Sequence, residues 1–232
     1  SVISPHAGYS YSGPIAAYSY KLLERIQPEV VVLLAPSHRA SYLGASLIDS
    51  GSYETPFGSA MIDEELSATF LRRPNFFFIK EAHEMEHSLE VQIPFLQRVL
   101  EKFTIVPMII GTTEPRTLNK LADSIATVLG YESRKTVIVI STDLSHYHSY
   151  ETARVMDGCF IEGLMTMDEN RLRQELNDEA EACGEGPVMT GLMASRKLGA
   201  NSVEILCYAN SGDTSGEKDR VVGYVSAAMI RQ

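Results

Sequence analysis

Three histidines of this chain stand just beyond short apolar runs, and their type and spacing suggest metal or proton chemistry. His6, His38 and His146 follow the apolar runs at 2–3, 30–34 and 137–140. Neutral imidazole is a common metal ligand, and because it titrates near neutral pH it can also move protons. In open α/β sheets the loops that follow the strands converge on one ligand-binding edge. Random placement of 6 histidines would rarely give this pattern, which predicts a site at that edge.

A cysteine is the candidate third ligand. Cys183 lies in the segment ACGEGPV, directly before a predicted helix at 188–198 in which Pro187 suits the first turn. The partial positive charge of a helix N-terminus favours a thiolate, and a thiolate is the form that binds metal. Glu185, two residues further on, is the alternative third ligand. The other two cysteines, Cys159 and Cys207, fall in apolar patterns and are interpreted as core residues.

A further polar cluster, HEMEHSLE, contains two histidines four residues apart. His83 and His87 could share a helix face and imitate a metal-binding pair, but Glu84 and Glu86 crowd them. We expect a surface role for His83 and a pocket role for His87.

The elements that must position these residues alternate between strand and helix patterns. Strands are expected within residues 30–34, 103–110, 137–140, 203–208 and 221–230, and helices within 15–26, 118–129, 152–164 and 188–198. Pro107 counts against a central position for the second strand, and Pro94 predicts a kink or a late helix start near 89–100. Residues 40–60 resemble a hairpin or an antiparallel insertion. Together these patterns predict a single α/β domain over residues 1–232, with a mixed, mostly parallel β-sheet flanked by helices.

Composition narrows the function classes. A net charge of −10 over 232 residues argues against nucleic acid or an anionic membrane as a partner, and no run approaches the ~20 apolar residues needed to span a bilayer. Three cysteines suit a reducing compartment, so we expect a cytoplasmic protein. The chain opens almost directly on its first motif, and we therefore expect a short segment upstream of Ser1.

Five segments in order carry a resemblance to a known family: SPHAGYSYSG, LAPSHR, EHSLEVQIPFL, STDLSHY and ACGEGPV. This set, spread over essentially the whole chain, resembles the Memo family, which is similar in fold to class III extradiol dioxygenases. The resemblance implies that His6 and His38 bind a metal and that Cys183 stands where the dioxygenases have a carboxylate. It also implies that His146 is an acid/base beside the metal and that Asp143 and His87 belong to the same pocket.

Alternatives remain for two of these residues. Asp143 either orients a histidine or caps the segment that follows it, and His146 is either an acid/base or a hydrogen-bonding residue of the pocket wall.

A thiolate softens a two-histidine site, which shifts its preference toward copper or zinc while iron can still bind. We expect one transition metal ion, with Fe(II) or Cu favoured and Zn as a further candidate. The first hypothesis is a redox or oxygen-linked enzyme acting on a small organic substrate. The alternatives are a noncatalytic module that binds a metal or a peptide in signalling, and metal-assisted hydrolysis. The resemblance also suggests radical-SAM pathway partners, because prokaryotic relatives are often grouped with such a protein.

Overall fold

A computed structural model describes all residues, 1–232, as an α/β fold with one large sheet. The strands are β1 (Val2–Ser4), β2 (Val30–Pro36), β3 (Ala45–Leu47), β4 (Ser52–Thr55), β5 (Gly58–Met61), β6 (Phe76–Phe77), β7 (Thr104–Ile110), β8 (Thr136–Ser141), β9 (His146–His148), β10 (Ser202–Asn210) and β11 (Val221–Ile230). The helices are α1 (Tyr9–Ile26), α2 (Glu64–Leu71), α3 (Lys80–His83), α4 (Gln92–Val99), α5 (Pro115–Gly130), α6 (Tyr150–Met165), α7 (Glu169–Asp178), α8 (Glu185–Lys197) and α9 (Ser211–Ser215).

The centre of the sheet is parallel and its flanks are mixed. The strand order is β10-β11-β1-β8-β2-β7-β3-β6, with β9 paired to β11. Strands β1, β8, β2 and β7 run parallel to their neighbours within that group, whereas β11, β10 and β9 are antiparallel additions at one side. On the other side β3 is antiparallel to β7, and β4 and β5 form a separate hairpin, as the turn residues of 40–60 predict. The expected mixed α/β sheet is confirmed.

Helices cover both faces of the sheet because the central strands are apolar on both sides. In β2, Val30, Val32 and Leu34 belong to one buried cluster, and Val31, Leu33 and Ala35 belong to another. The first cluster includes buried residues of α5, α6 and α8, and the second includes those of α1 and α4. No helix is long and apolar enough to cross a bilayer.

Two prolines made the sequence pattern ambiguous, and the structure shows how each fits its element. Pro107 lies in β7, inside the sheet, opposite Leu33 of β2. On its other side β3 pairs only with residues 108–110, so β3 ends before Pro107 and no β3 ladder bond is lost there. Pro94 stands in the first turn of α4, so the late helix start is the correct alternative.

Candidate metal centre

Three adjacent parallel strands bring the polar segments to one edge of the sheet. β1, β8 and β2 lie side by side, and His6, Asp143 and His38 each stand two residues beyond the last residue of their strand. Because the strands are parallel, their carboxyl ends open in the same direction. The sheet order therefore places the Asp143 segment between the two histidine segments.

The side chains of His6, His38 and Cys183 converge on one point. Their ligand atoms all lie within 4.8 Å of one another. Within this group, His6 Nε2 and Cys183 Sγ are 3.2 Å apart. The two imidazole rings meet edge to face, with centroids 5.4 Å apart.

His6 is the buried member of this group. Its backbone N–H donates to the Asp143 carboxylate at 2.8 Å, and its ring Nδ1 lies 2.8 Å from the hydroxyl of Ser141. Burial, together with the neighbouring His38 and His87, lowers the pKa of His6 to about 3. The ring is therefore neutral at physiological pH, which is the form that binds metal.

His38 is exposed, and a buried carboxylate holds it in place. Glu86 accepts the His38 ring Nδ1–H at 2.9 Å and the His38 backbone N–H at 2.6 Å. Burial alone would raise the pKa of Glu86, but these bonds and a third from the Ser88 backbone outweigh it and lower the pKa to about 2. An ionised carboxylate only accepts hydrogen bonds, so Nδ1 of His38 carries a proton, and in the neutral ring Nε2 is the nitrogen that can bind a metal.

Cys183 reaches the site because its loop is fixed to the end of β8. Its backbone N–H donates to the Asp143 carbonyl, and the Asp143 backbone N–H donates to Cys183 Sγ, both at 3.2 Å. At the next position, a Cβ on Gly184 would lie 2.5 Å from the Ser141 carbonyl oxygen. Glycine is therefore needed at 184 for the cysteine loop to approach the strand so closely.

The surroundings of Cys183 disfavour the thiolate that the helix N-terminus was expected to stabilise. Helix α8 begins at Glu185, so Cys183 precedes its first turn. Burial, followed by the nearby negative charge of Asp143, raises the pKa of Cys183 to about 12. The helix dipole is the weaker effect here, and metal binding would have to displace the thiol proton.

Asp143 holds the backbone of a site histidine. One carboxylate oxygen accepts the backbone N–H groups of His6 and Ala7, and the other lies 4.0 Å from His6 Nε2. Burial raises the pKa of Asp143 to about 6 despite these bonds. The segment after it is held by other carboxylates, since Asp157 accepts the Ser145 backbone N–H. The orienting alternative for Asp143 therefore fits the geometry, and the capping alternative does not.

His146 stands beside the cysteine. It forms a second group with Asp143 and Cys183, again with all ligand atoms within 4.8 Å of one another. A cavity of about 330 Å³ is lined by His146, Cys183, Glu181 and Glu185, together with apolar residues. Glu181 accepts the His146 backbone N–H at 3.2 Å, so it holds the loop that carries this histidine.

Comparison with known proteins identifies the family. A family model described as Memo-like protein matches residues 1–228. MEMO1 family proteins of Methanobrevibacter smithii and Saccharolobus solfataricus are 39% and 40% identical to this chain, over 97% of it in each case and 81% of the relative. A MEMO1 family protein of Methanopyrus kandleri is 37% identical over 99% of this chain and 83% of its own.

The chain belongs to the Memo family. An uncharacterized protein of Escherichia coli K12 shares the fold with a TM-score of 0.65 over 97% of both chains. At 14% identity that likeness extends to the fold alone.

The side chains of His6, His38 and Cys183 could hold a transition metal. Ligands bound at ~2.0–2.3 Å in a tetrahedral arrangement stand about 3.5 Å from one another, close to the 3.2 Å between His6 Nε2 and Cys183 Sγ. Two imidazole nitrogens and one sulfur are a donor set that suits Cu, Zn or Fe.

The other predicted residues of this Memo-family chain are His87, His83 and Glu185, and they lie at different distances from the candidate site. The exposed His87 ring lies 5.1 Å from the His38 ring and 5.6 Å from the His6 ring, and its pocket role stays a prediction. The surface role expected for His83 is wrong, because its half-buried ring bonds to Ser46 at 3.0 Å and burial lowers its pKa to about 4. Glu185 is not in either histidine–cysteine group.

Four residues that organise the site are not among the candidates that the sequence predicts: Glu86, Gln92, Ser141 and Glu181. A carboxylate next to several histidines is a recurring signal of an orienting partner, and Glu86 carries that signal in the sequence. Glu181 and Gln92 offered no local signal, because both act on residues far away in the sequence. Cys159 and Cys207 are half-buried and are not fully enclosed core residues.

Proposed function

We propose that this Memo-family chain holds one transition metal through His6, His38 and Cys183 and uses it as a redox or oxygen-linked enzyme. Support comes from one observation: two imidazole nitrogens and a sulfur converge within 4.8 Å at the loop end of the sheet. A bound metal would supply a centre for electron transfer or substrate activation. Fe(II) and Cu are the favoured ions and Zn is a further candidate, because a mixed nitrogen and sulfur donor set accepts all three.

The chain's own residues would bind and protonate the substrate. His146 borders the cavity next to Cys183, so a small organic molecule in that cavity would lie within its reach. We assign His146 the role of acid/base. Asp143 fixes the loop that carries His6, and His87 borders the exposed side where a substrate would enter.

A second candidate is a noncatalytic module that binds a metal or a peptide. The observation that favours it is the exposure of His38 and His87, because a metal held there would be accessible to a macromolecule. The cytoplasm and a radical-SAM partner remain predictions, and the three free cysteines are compatible with the first of these.

The ligand assignment is tested by metal content. Protein should be purified without chelator or nickel affinity, and its Fe, Cu and Zn content measured for wild type, Cys183→Ser, Cys159→Ser and Cys207→Ser. Only Cys183→Ser should lose most of its metal, because the other two thiols lie outside the histidine groups. Equal metal content in all three variants would reject Cys183 as a ligand, and loss in Glu185→Gln would support the carboxylate alternative.

The His146→Ala variant distinguishes the enzyme from the noncatalytic binding module. A general acid/base contributes typically ~10²–10⁴-fold to turnover and little to metal affinity. His146→Ala should therefore keep its metal and lose most oxygen uptake, measured with Fe(II), Cu(I) and Zn(II) against a panel of catechols. Metal binding by wild type without uptake under any of these conditions would exclude catechol dioxygenation and favour the binding module. Loss of metal in His146→Ala would make His146 a ligand.

A further inference from the structure

A chain of buried hydrogen bonds leads from Tyr20 to the ring of His6. Tyr20 donates its hydroxyl proton to the Gln92 side-chain oxygen. The Gln92 amide nitrogen donates to the Ser141 hydroxyl at 2.8 Å and to the Pro5 carbonyl at 3.1 Å. The Ser141 hydroxyl lies 2.8 Å from His6 Nδ1. Tyr20, Gln92 and Ser141 are each at most 1% exposed, so water does not compete for these bonds.

The direction of each bond follows from the groups at its ends. The Pro5 carbonyl can only accept, so the Gln92 amide nitrogen must face it and its oxygen must face Tyr20. The Ser141 hydroxyl donates its single proton to the Ser88 carbonyl at 2.7 Å. Its contact with Gln92 is then an accepting one, and its contact with His6 must be accepting as well.

We propose that Ser141 and Gln92 are positioning residues that fix His6 in the tautomer with the proton on Nδ1, which leaves Nε2 free to bind a metal. If Ser141 instead donated to His6, the Ser88 carbonyl would lose its bond from that hydroxyl. A free imidazole side chain in water prefers the opposite tautomer, with the proton on Nε2, which cannot bind a metal through that atom. The fixed network therefore prepares the ligand atom before any metal arrives.

The proposal assigns a role to the EHSLEVQ segment. Glu86 fixes the tautomer of His38. The Ser88 carbonyl accepts a hydrogen bond from the Ser141 hydroxyl, and the Gln92 amide donates one to that hydroxyl. One short segment thus determines which nitrogen of each imidazole faces the site. The effect of the His6 tautomer on metal binding rests on the proposed function, whereas the existence of that tautomer does not.

The tautomer is measured in metal-free protein by long-range ¹H–¹⁵N correlation spectra of labelled histidine. Cys183 Sγ lies 3.2 Å from His6 Nε2, and its thiol could also donate to that nitrogen, so the decisive comparison is made in a Cys183→Ala background. We expect Nδ1–H for His6 in wild type and in Cys183→Ala. In Cys183→Ala/Ser141→Ala the population should shift toward Nε2–H. A dominant Nε2–H tautomer in wild type, or an unchanged Nδ1–H in the double variant, would overturn the proposal.

Metal affinity provides the second readout. Ser141→Ala should weaken Zn(II) binding ~10–100-fold, the usual effect of losing a partner that orients a ligand. Gln92→Met should weaken it by a smaller factor. Gln97→Met, an amide on the same helix that bonds to Thr55 and Gly58 away from the site, should bind as wild type does.

Failure of the proposal and failure of the proposed function are distinguishable. Wild-type protein that has the Nδ1–H tautomer but binds no metal would refute the function alone. If Ser141→Ala does not fold, the wild-type and Cys183→Ala spectra still decide the tautomer.

Discussion

Replacing Glu86 by glutamine tests how the exposed ligand is held. One carboxylate oxygen of Glu86 accepts the His38 ring N–H and the Ser88 backbone N–H, and the other accepts the His38 backbone N–H. An amide has one oxygen and one NH₂ group, so in Glu86→Gln an NH₂ donor must replace one of the two accepting carboxylate oxygens. If the NH₂ group faces the backbone of His38, two donors oppose each other. If it faces the ring, it favours the tautomer with the proton on Nε2, which removes the metal ligand.

The expected size of the effect follows from both outcomes. A hydrogen bond to a charged group contributes about 1.5–3 kcal/mol. Loss of a carboxylate that orients a metal-binding histidine typically lowers metal affinity ~10–100-fold, which corresponds to about 1.4–2.7 kcal/mol. The two ranges agree, so Glu86→Gln should bind Zn(II) at least ~10-fold more weakly than wild type.

The assay is a competition titration with a chromogenic zinc chelator. Glu84→Gln is the matched control, because Glu84 is exposed, lies two residues away and pairs only with Lys80 at 3.1 Å on the surface. We expect it to bind zinc as wild type does. Equal affinity in Glu86→Gln and Glu84→Gln would show that the carboxylate does not orient His38 for metal binding.

Two further predictions concern packing and acid stability. Gly184→Ala should lower the free energy of unfolding in urea by about 1–3 kcal/mol, since its Cβ would meet the Ser141 carbonyl oxygen at 2.5 Å. Gly158→Ala is the control, because a Cβ there would meet nothing within 4 Å apart from its chain neighbours and the local helix backbone. Equal stability of the two variants would contradict the steric argument. Hydrogen bonds from Arg134 lower the pKa of Glu132 from 4.5 to about 2, so this pair stabilises the fold above the unfolded pKa and loses its effect as pH falls toward 2. The stability difference between wild type and Arg134→Met should therefore shrink over that range, and a difference independent of pH would refute the ion-pair explanation.

The architecture was predictable because it depends on local pattern. The run at 30–34 is apolar on both faces, and this feature alone indicates a buried strand with helices on each side. Positions directly after such strands must lie at one edge of a parallel sheet, so the amino-acid pattern is enough to place His6 and His38 near each other. Helix starts were harder, because α1 begins at Tyr9, six residues before the first residue of the expected span, and contains Pro14.

The partners of the ligands were not predictable in the same way. Glu86 approaches His38 across 48 positions of the sequence, and Ser141 approaches His6 across 135. Such contacts depend on the path of loops between elements, which periodicity does not determine. The raised pKa of Cys183 is unpredictable for a related reason, since burial of the thiol is a property of the packed loop and not of its distance from a helix start.

The two imidazoles are held by different kinds of acceptor, and their burial explains the difference. His38 is exposed, so water would compete for a neutral hydrogen bond, and the ionised Glu86 provides a stronger, charge-assisted one. His6 is only 2% exposed, and a second ionised carboxylate bonded to its ring there would carry a large desolvation cost. The neutral Ser141 hydroxyl donates its own proton to the Ser88 carbonyl, so it can accept from the His6 ring and fix that ring without adding charge. In the proposed site two imidazole nitrogens of the same tautomer face the metal, and Glu86 is the one carboxylate that hydrogen-bonds to either ring. Asp143 instead bonds to the His6 backbone and stands 4.0 Å from the His6 ring nitrogen.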